Sequence, residues 1–310
     1  MSITRRQFVT TSSVMGAGAV FAPSAQAAQE SLVFLLVGDW GRHGKHHQGY
    51  VAEQMARTAQ DVKSQFIVSV GDNFYENGVE SVSDPQFQTS FEDVYTASSL
   101  QTPWNLILGN HDYRGNVQAQ LDYSKQSQRW RMPARYYMDV VSLPDGAKVA
   151  FYYLDTSPFI KRYYGSRVQV EGQNPQAQLN WLDARLAVSK AEWNIVIGHH
   201  PIYTAHAPEI GHEHDEPDLI ACLNPILQKH NVPLYICGHD HVLQAVKKDG
   251  ISYVCTGAGS ETYRPGAAIR GGFLSGAHGF MVVRLSGKQL AYSLVDETGT
   301  TLYAQSIVRI

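Results

Sequence analysis

The chain has 310 residues, 44% hydrophobic and 17% charged, with a formal net charge of -3 and a pI near 6.5. This is ordinary for a globular protein and leaves no broad basic face, which argues against nucleic acid as a partner. The acidic excess is just as slight, so total charge says nothing about a substrate.

The first residues differ from all that follow. Arg5, Arg6 and Phe8 precede a weakly apolar run rich in Ala, Gly, Ser and Thr, and Ala25-Gln26-Ala27 supplies a small-residue cleavage pattern. The run from Val9 to Ala22 is too short and too glycine-rich for a bilayer span, so no stable membrane anchor is expected. The stretch TRRQFV (4 to 9) resembles the twin-arginine signal, an address read by the Tat translocation machinery. Residues 1–27 are thus expected to be an export leader and residues 28–310 one domain, periplasmic or secreted.

From residue 31 onward, short apolar runs alternate with amphipathic stretches. The runs are 32–39, 66–72, 104–112, 148–155, 193–200 and 233–241, each nearly continuous, as strands covered on both faces are. Between them the spacing predicts helices over Tyr50 to Val62, Asn116 to Ser127, Pro175 to Val188 and Pro217 to His230. Asn174-Pro175 is a helix start, with Leu179, Leu182 and Leu186 on the inward face. After Ile251 only strands are expected, with a long glycine-rich loop from Gly257 to Gly279. Repeated strand and helix imply sheets with helices packed outside them. Cys222, Cys237 and Cys255 show no metal-binding spacing; small buried apolar roles are expected for Cys237 and Cys255, and one disulfide stays open.

The chemistry collects where the strands stop. In open α/β sheets, side chains from several strands converge beyond their carboxyl ends. This chain places Asp39, Asp72, Tyr75, Asn110, His111, Asp112, Asp155, His199, His200, His239 and His241 there. In five of the six runs the first donor directly follows a glycine. Carboxylate, amide oxygen and imidazole suit hard or borderline metal ions, and the lack of thiolates argues against a structural zinc knot.

The set GDWG (38 to 41), GDNFY (71 to 75), GNHD (109 to 112), VIGH (196 to 199) and GHDH (238 to 241) resembles the purple acid phosphatases. Within that family, part of the calcineurin-like metallophosphoesterases, it is most similar to the small tartrate-resistant type. The resemblance implies a four-layer α/β/β/α sandwich of two mixed sheets. It also implies hydrolysis of phosphate monoesters by a dinuclear Fe(III)–M(II) centre with a metal-bound hydroxide nucleophile. Relatives in the wider group carry Asp-x-His in the first motif; here position 41 is Gly, and Tyr75 is the natural replacement as a hard phenolate donor. Residue by residue, Asp39, Tyr75 and His241 would bind the ferric ion and Asp72 would bridge. Asn110, His199 and His239 would bind the divalent iron, zinc or manganese ion.

His111 would not ligate metal but would hydrogen-bond the phosphoryl group or protonate the leaving alkoxide, with Asp112 orienting it. Of His200, His206, His212 and His214, His206 is preferred as the further histidine facing a small phosphorylated substrate. Asp155 is taken as a strand-end turn residue, and neither Arg264 nor Arg270 is taken as a phosphate contact. Phosphodiesterase or nucleotide hydrolase activity at the same site, and an exported iron-binding or redox protein, are the alternatives. The motifs name neither the physiological ester nor the oligomeric state.

Overall fold

The computed structural model describes residues 8–11, 31–206, 215–266 and 271–309. Its strands begin with β1 (Phe8–Thr11), β2 (Leu32–Val37), β3 (Phe66–Ser69), β4 (Trp104–Leu106), β5 (Trp130–Arg131), β6 (Tyr137–Ser142), β7 (Lys148–Tyr153) and β8 (Trp193–Ile197). They continue with β9 (Leu234–Cys237), β10 (Leu243–Lys248), β11 (Ile251–Thr256), β12 (Phe273–Ser275), β13 (Gly279–Leu285), β14 (Gln289–Asp296) and β15 (Thr301–Arg309). The α-helices are α1 (Gln48–Val62), α2 (Val117–Tyr123), α3 (Pro175–Val188), α4 (Pro217–Cys222) and α5 (Asn224–Lys229).

Two mixed sheets result, ordered β1-β15-β14-β13-β2-β3-β4-β5 and β12-β10-β11-β9-β8-β7-β6. The strands that carry the motifs run parallel, β2 to β5 in the first sheet and β7, β8, β9 and β11 in the second. Alternate side chains serve two different cores, as the period of a strand dictates. Phe34 and Leu36 point between the sheets, toward Phe151, Tyr153, Ile195, Ile197, Leu234 and Ile236, while Val33, Leu35 and Val37 join Val51, Met55 and Ala59 of α1 outside. Phe34 stacks on Phe66 at 4.7 Å and meets Phe151 edge-on at 5.3 Å, clamping sheet to sheet. On the far side Ala150 and Tyr152 join Leu179, Leu182 and Leu186 of α3. This is the expected four-layer arrangement, and it explains why the strands read as unbroken apolar runs.

Several details differ from expectation. The helix expected over Pro217 to His230 is two short helices, because Pro225 starts the second and has no backbone N–H to continue the first. The segment from Gly257 to Gly279 holds β12, which pairs with β10 through Gln244 and Leu274. The strands β5, β6 and β10 went unread: β6 is half exposed at a sheet edge, and β10 ends on two exposed lysines. α3 matches its expected bounds, with Asn174 Oδ1 accepting from Ala177 N at 3.0 Å and Pro175 in the first turn. The three cysteines are free thiols, with Cys237 and Cys255 buried. Arg5, Arg6 and Ala25 to Ala27 lie outside the described residues, and β1 pairs antiparallel with β15.

Candidate metal centre

The carboxyl ends of the two sheets are tied to each other. Gly38 N donates to Thr256 O at 2.9 Å and Gly259 N to Gly38 O at 3.1 Å, joining the loop after β2 to the loop after β11. Three chain reversals there use left-handed backbone at residues with a Cβ: Asp39 at φ 60°, Asp72 at φ 49° and His239 at φ 71°. That conformation is uncommon outside glycine and is sustained only where the surroundings hold it. Here Asp39 N donates to Gly71 O at 3.0 Å, and His239 N donates to the Asp39 carboxylate at 3.0 Å.

Glycines permit the close approach. A Cβ at Gly109 would collide with the Asp72 carboxylate, and one at Gly41 with the Asn73 carbonyl. Gly41 O accepts from Tyr75 N at 3.0 Å, so the absent side chain at position 41 is what lets the Tyr75 loop close over the site.

Asp39, Asp72 and Tyr75 are buried together with His241. The Tyr75 hydroxyl lies 3.0 Å from Asp39 Oδ1, 3.1 Å from Asp72 Oδ2 and 2.9 Å from His241 Nε2. A phenol has one hydrogen, so it cannot satisfy two carboxylates and an imidazole at once. On the other side of Asp72, His199 Nε2 stands 3.4 Å from Oδ2. His199 Nδ1 donates to Val70 O at 2.9 Å, which leaves the Nε2 lone pair facing the centre. The rings of His199 and His239 lie 5.2 Å apart. Asn110 Oδ1, His199 Nε2 and His241 Nδ1 are buried without a hydrogen-bond partner. One ligand atom each from Asp39, Asp72 and His199 falls within 4.8 Å of the others, as does one each from His199, His200 and His239. The Asp39 and Asp72 carboxylates, the Tyr75 phenol, His241 Nε2 and the unspent Nε2 of His199 converge, and such a buried set fits a cation better than any set of protons.

The electrostatics agree. Burial lifts the Asp39 carboxyl well above the usual range. Burial works the same way on Asp72, but the imidazoles of His199 and His111 outweigh it and hold that carboxyl well below the usual range. Burial and then the two carboxylates push the Tyr75 phenol well up. His241 is pushed down to about 4, and His239 well below its ordinary value, chiefly by burial. For His199 burial acts downward, yet Asp72 carries it up to about 9. A bound cation inverts this logic, favouring carboxylate, phenolate and neutral imidazole together.

His200 is fully engaged elsewhere. Thr156 Oγ1 accepts from the backbone N–H of His199 and of His200, so its hydrogen is directed at His200 Nδ1, 2.8 Å away. His200 Nε2 meets the Tyr163 hydroxyl at 2.9 Å.

His111 is partly exposed beside the centre, its Nε2 4.0 Å from Asp72 Oδ2 and its ring 4.4 Å from that of Tyr75. Its Nδ1–H donates to Glu76 O at 2.7 Å, and Arg114 NH1 lies 2.8 Å from the same nitrogen. Asp112 therefore takes a different part from the one expected. Its carboxylate accepts from Gly109 N at 2.8 Å, Asn73 N at 3.1 Å, Phe74 N at 3.3 Å and Gln120 Nε2 at 2.8 Å, bonds that brace two loops and of which none goes to His111.

Asp155 is more than a turn residue, since it accepts from the Tyr113 hydroxyl and is pushed up to about 7 by burial. His206 is buried, with its backbone N donating to Thr204 Oγ1 at 3.3 Å. His212, His214 and Arg270 lie outside the described residues, and Arg264 is exposed. Sequence reading missed Arg42, whose guanidinium sits 3.9 Å over the Tyr75 ring between Glu76 and Glu261. Its place one residue after GDWG was the available signal.

Residues 32–243 match the calcineurin-like phosphoesterase family. Purple acid phosphatase 4 of Arabidopsis thaliana is 37% identical over 288 residues, covering 88% of this chain and 82% of that protein. Human tartrate-resistant acid phosphatase type 5 is 34% identical over 319 residues, covering 94% of this chain and 95% of its own. Among solved structures, GAP50, the anchor in the inner membrane complex of Plasmodium, superposes with a TM-score of 0.76 at 26% identity, covering 90% of this chain and 89% of that one. With its five strand-end motifs gathered at one edge of two facing sheets, the chain belongs to the purple acid phosphatases among the calcineurin-like phosphoesterases, and it is a phosphoesterase hydrolase.

Proposed function

We propose that the enzyme hydrolyses phosphate monoesters at acid pH with a mixed-valence pair of metals, Fe(III) beside a divalent iron, zinc or manganese ion. Asp39, Tyr75 and His241 would hold the ferric ion, Asp72 would lie between the two, and Asn110, His199 and His239 would hold the divalent ion. The observation that carries the reading is the Tyr75 hydroxyl within 3.1 Å of two carboxylate oxygens and an imidazole nitrogen. A phenolate is a hard anionic donor and matches a trivalent ion. When bound, such a pair supplies Lewis acidity toward phosphoryl oxygens and an activated water at low pH.

The protein's own groups do the rest. With Nδ1–H committed to the Glu76 carbonyl, His111 presents Nε2 to the substrate side, where a proton held there passes to the leaving alkoxide. His206 is assigned to the substrate side by its distance along the chain from His199. Export ahead of function is assigned from Arg5, Arg6 and Ala25-Gln26-Ala27, with cleavage near Ala28; among the described residues no helix is long and apolar enough to cross a membrane.

The test is visible absorption with metal analysis on the purified protein and on Tyr75→Phe. A broad visible band that vanishes in the variant, with two metals per chain, is the expected result. A colourless protein with two divalent ions would replace the ferric assignment with an all-divalent phosphoesterase.

A further inference from the structure

A second group of ligand-type side chains stands outside the centre described above. His47 occupies the residue before α1, His278 the residue before β13, and Glu297 the turn after β14. The two imidazoles stack face to face, with centroids 3.8 Å apart and planes 3° from parallel. His47 Nδ1 lies 2.8 and 3.1 Å from the two Glu297 oxygens, and His278 Nδ1 lies 3.9 Å from Oε1. One ligand atom from each residue falls within 4.8 Å of the other two.

We propose that His47, His278 and Glu297 form a separate metal site that takes a borderline divalent cation of the zinc type, with water completing its coordination. The donor set is two imidazoles and a carboxylate, which suits such an ion and leaves a position open. Spacing agrees as well: a tetrahedral ion with bonds of about 2.0–2.1 Å keeps its ligand atoms about 3.3 Å apart. Because the two ring planes are parallel, one imidazole must turn out of the stack for both lone pairs to meet at one ion.

The surroundings of His278 suit ligation through Nδ1. Its Nε2 is 3.2 Å from Thr262 Oγ1, whereas its Nδ1 is too far from Glu297 to donate a hydrogen bond. The hydroxyl can donate or accept; in the tautomer whose Nε2–H is directed at it, the Nδ1 lone pair faces the carboxylate, as metal-binding histidines require. Burial and the adjacent His47 also push the His278 pKa down, which favours the neutral ring. The carriers are fixed too, since Glu297 N donates to His278 O at 2.9 Å.

The third ligand comes from a different place. His47 ends a loop with left-handed residues at His43, Gly44, His46 and His47. A cation here would staple that loop to the start of β13 and the turn after β14. Its effect is on the stability of the α1 end of the first sheet and not on hydrolysis.

The experiment is zinc uptake by the metal-loaded full chain, dialysed against graded free zinc, in the wild type, His278→Ala and Glu297→Gln. The expected result is one zinc per chain more in the wild type than in either variant, with phosphatase turnover equal in all three. The melting temperature should rise with zinc in the wild type alone. Equal uptake by all three proteins would overturn the proposal. So would no uptake by the wild type below millimolar free zinc, which would leave an ion pair of His47 and Glu297 and nothing more. If His278→Ala fails to fold, the isosteric Glu297→Gln, with both imidazoles intact, decides alone.

Discussion

His111 and Asp112 are neighbours in sequence with opposite surroundings, and their variants should fail in different ways. His111 is partly exposed with one nitrogen committed to a backbone carbonyl, so His111→Ala should keep its metals and its stability. It should lose about 10²- to 10⁴-fold in kcat, the range for a positioned general acid. Asp112→Ala removes a buried carboxylate and strands the N–H groups of Asn73, Phe74 and Gly109. At about 1–3 kcal/mol for each unsatisfied buried donor, the loss should be at least about 3 kcal/mol in denaturant unfolding. Asp112 would be an orienting residue after all if Asp112→Ala unfolded like the wild type while its kcat collapsed. The distinction was invisible in the sequence because the partner of His111 is the carbonyl of Glu76, and a carbonyl has no residue identity.

At the level of elements, Asp155 links three of them. It follows β7, accepts from Tyr113 in the turn after the GNHD motif, and exchanges two backbone hydrogen bonds of 2.9 Å with the Gln178 amide of α3. Arg135 NH1 reaches the same phenol at 2.8 Å. Burial holds the Asp155 carboxyl at about 7, above the 3.8 of a free side chain, so the native state keeps a proton that the unfolded chain releases. Its contribution to stability is therefore complete below pH 4 and is lost as the pH rises through 7. Relative to Asp155→Asn, the wild type should lose up to about 4 kcal/mol of unfolding free energy between pH 4 and 8, read from urea melts at several pH values. A constant difference would mean that the carboxyl is ionised throughout. Legibility of the elements followed the same physics of burial. The strands β2, β3, β7, β8 and β9 are covered on both faces and announced themselves as apolar runs, whereas β6 mixes Asp139 and Ser142 into an edge and did not. Pro225 could have revealed the break between α4 and α5, yet the surrounding leucines and isoleucines kept a helical period across it. The donors of the candidate centre were legible because each strand-end cluster opens with a glycine that makes room for its neighbours. Arg42 was not, since its role arises from a ring 33 residues further along the chain.

On the scale of the whole molecule, the metal centre sits where the two sheets are joined, so removing the metals should alter global stability and its pH dependence. Without a cation, the native state holds His199 at about 9 against an ordinary 6.5, chiefly because Asp72 offsets the cost of burying it. That raised value stabilises the metal-free fold fully below pH 6.5, and the benefit disappears as the pH climbs through 9. Asp39, raised chiefly by burial, likewise contributes stability that is lost as the pH rises above the usual carboxylate range. The depressed imidazoles of His200, His239 and His241 act only below pH 6.5, where they favour the unfolded chain, so they leave the upper window unopposed. Chelated protein should accordingly lose about 3 kcal/mol from His199 alone between pH 6.5 and 9. On the proposed ligand set, in which an ion on His199 keeps its ring neutral, the metal-loaded protein should change little over that range. Denaturant melts of both forms at pH 6.5, 7.5 and 9 make the comparison. Parallel behaviour of the two forms would mean that His199 does not exchange a proton for a metal, and it would remove the strongest tie between the centre and the fold around it.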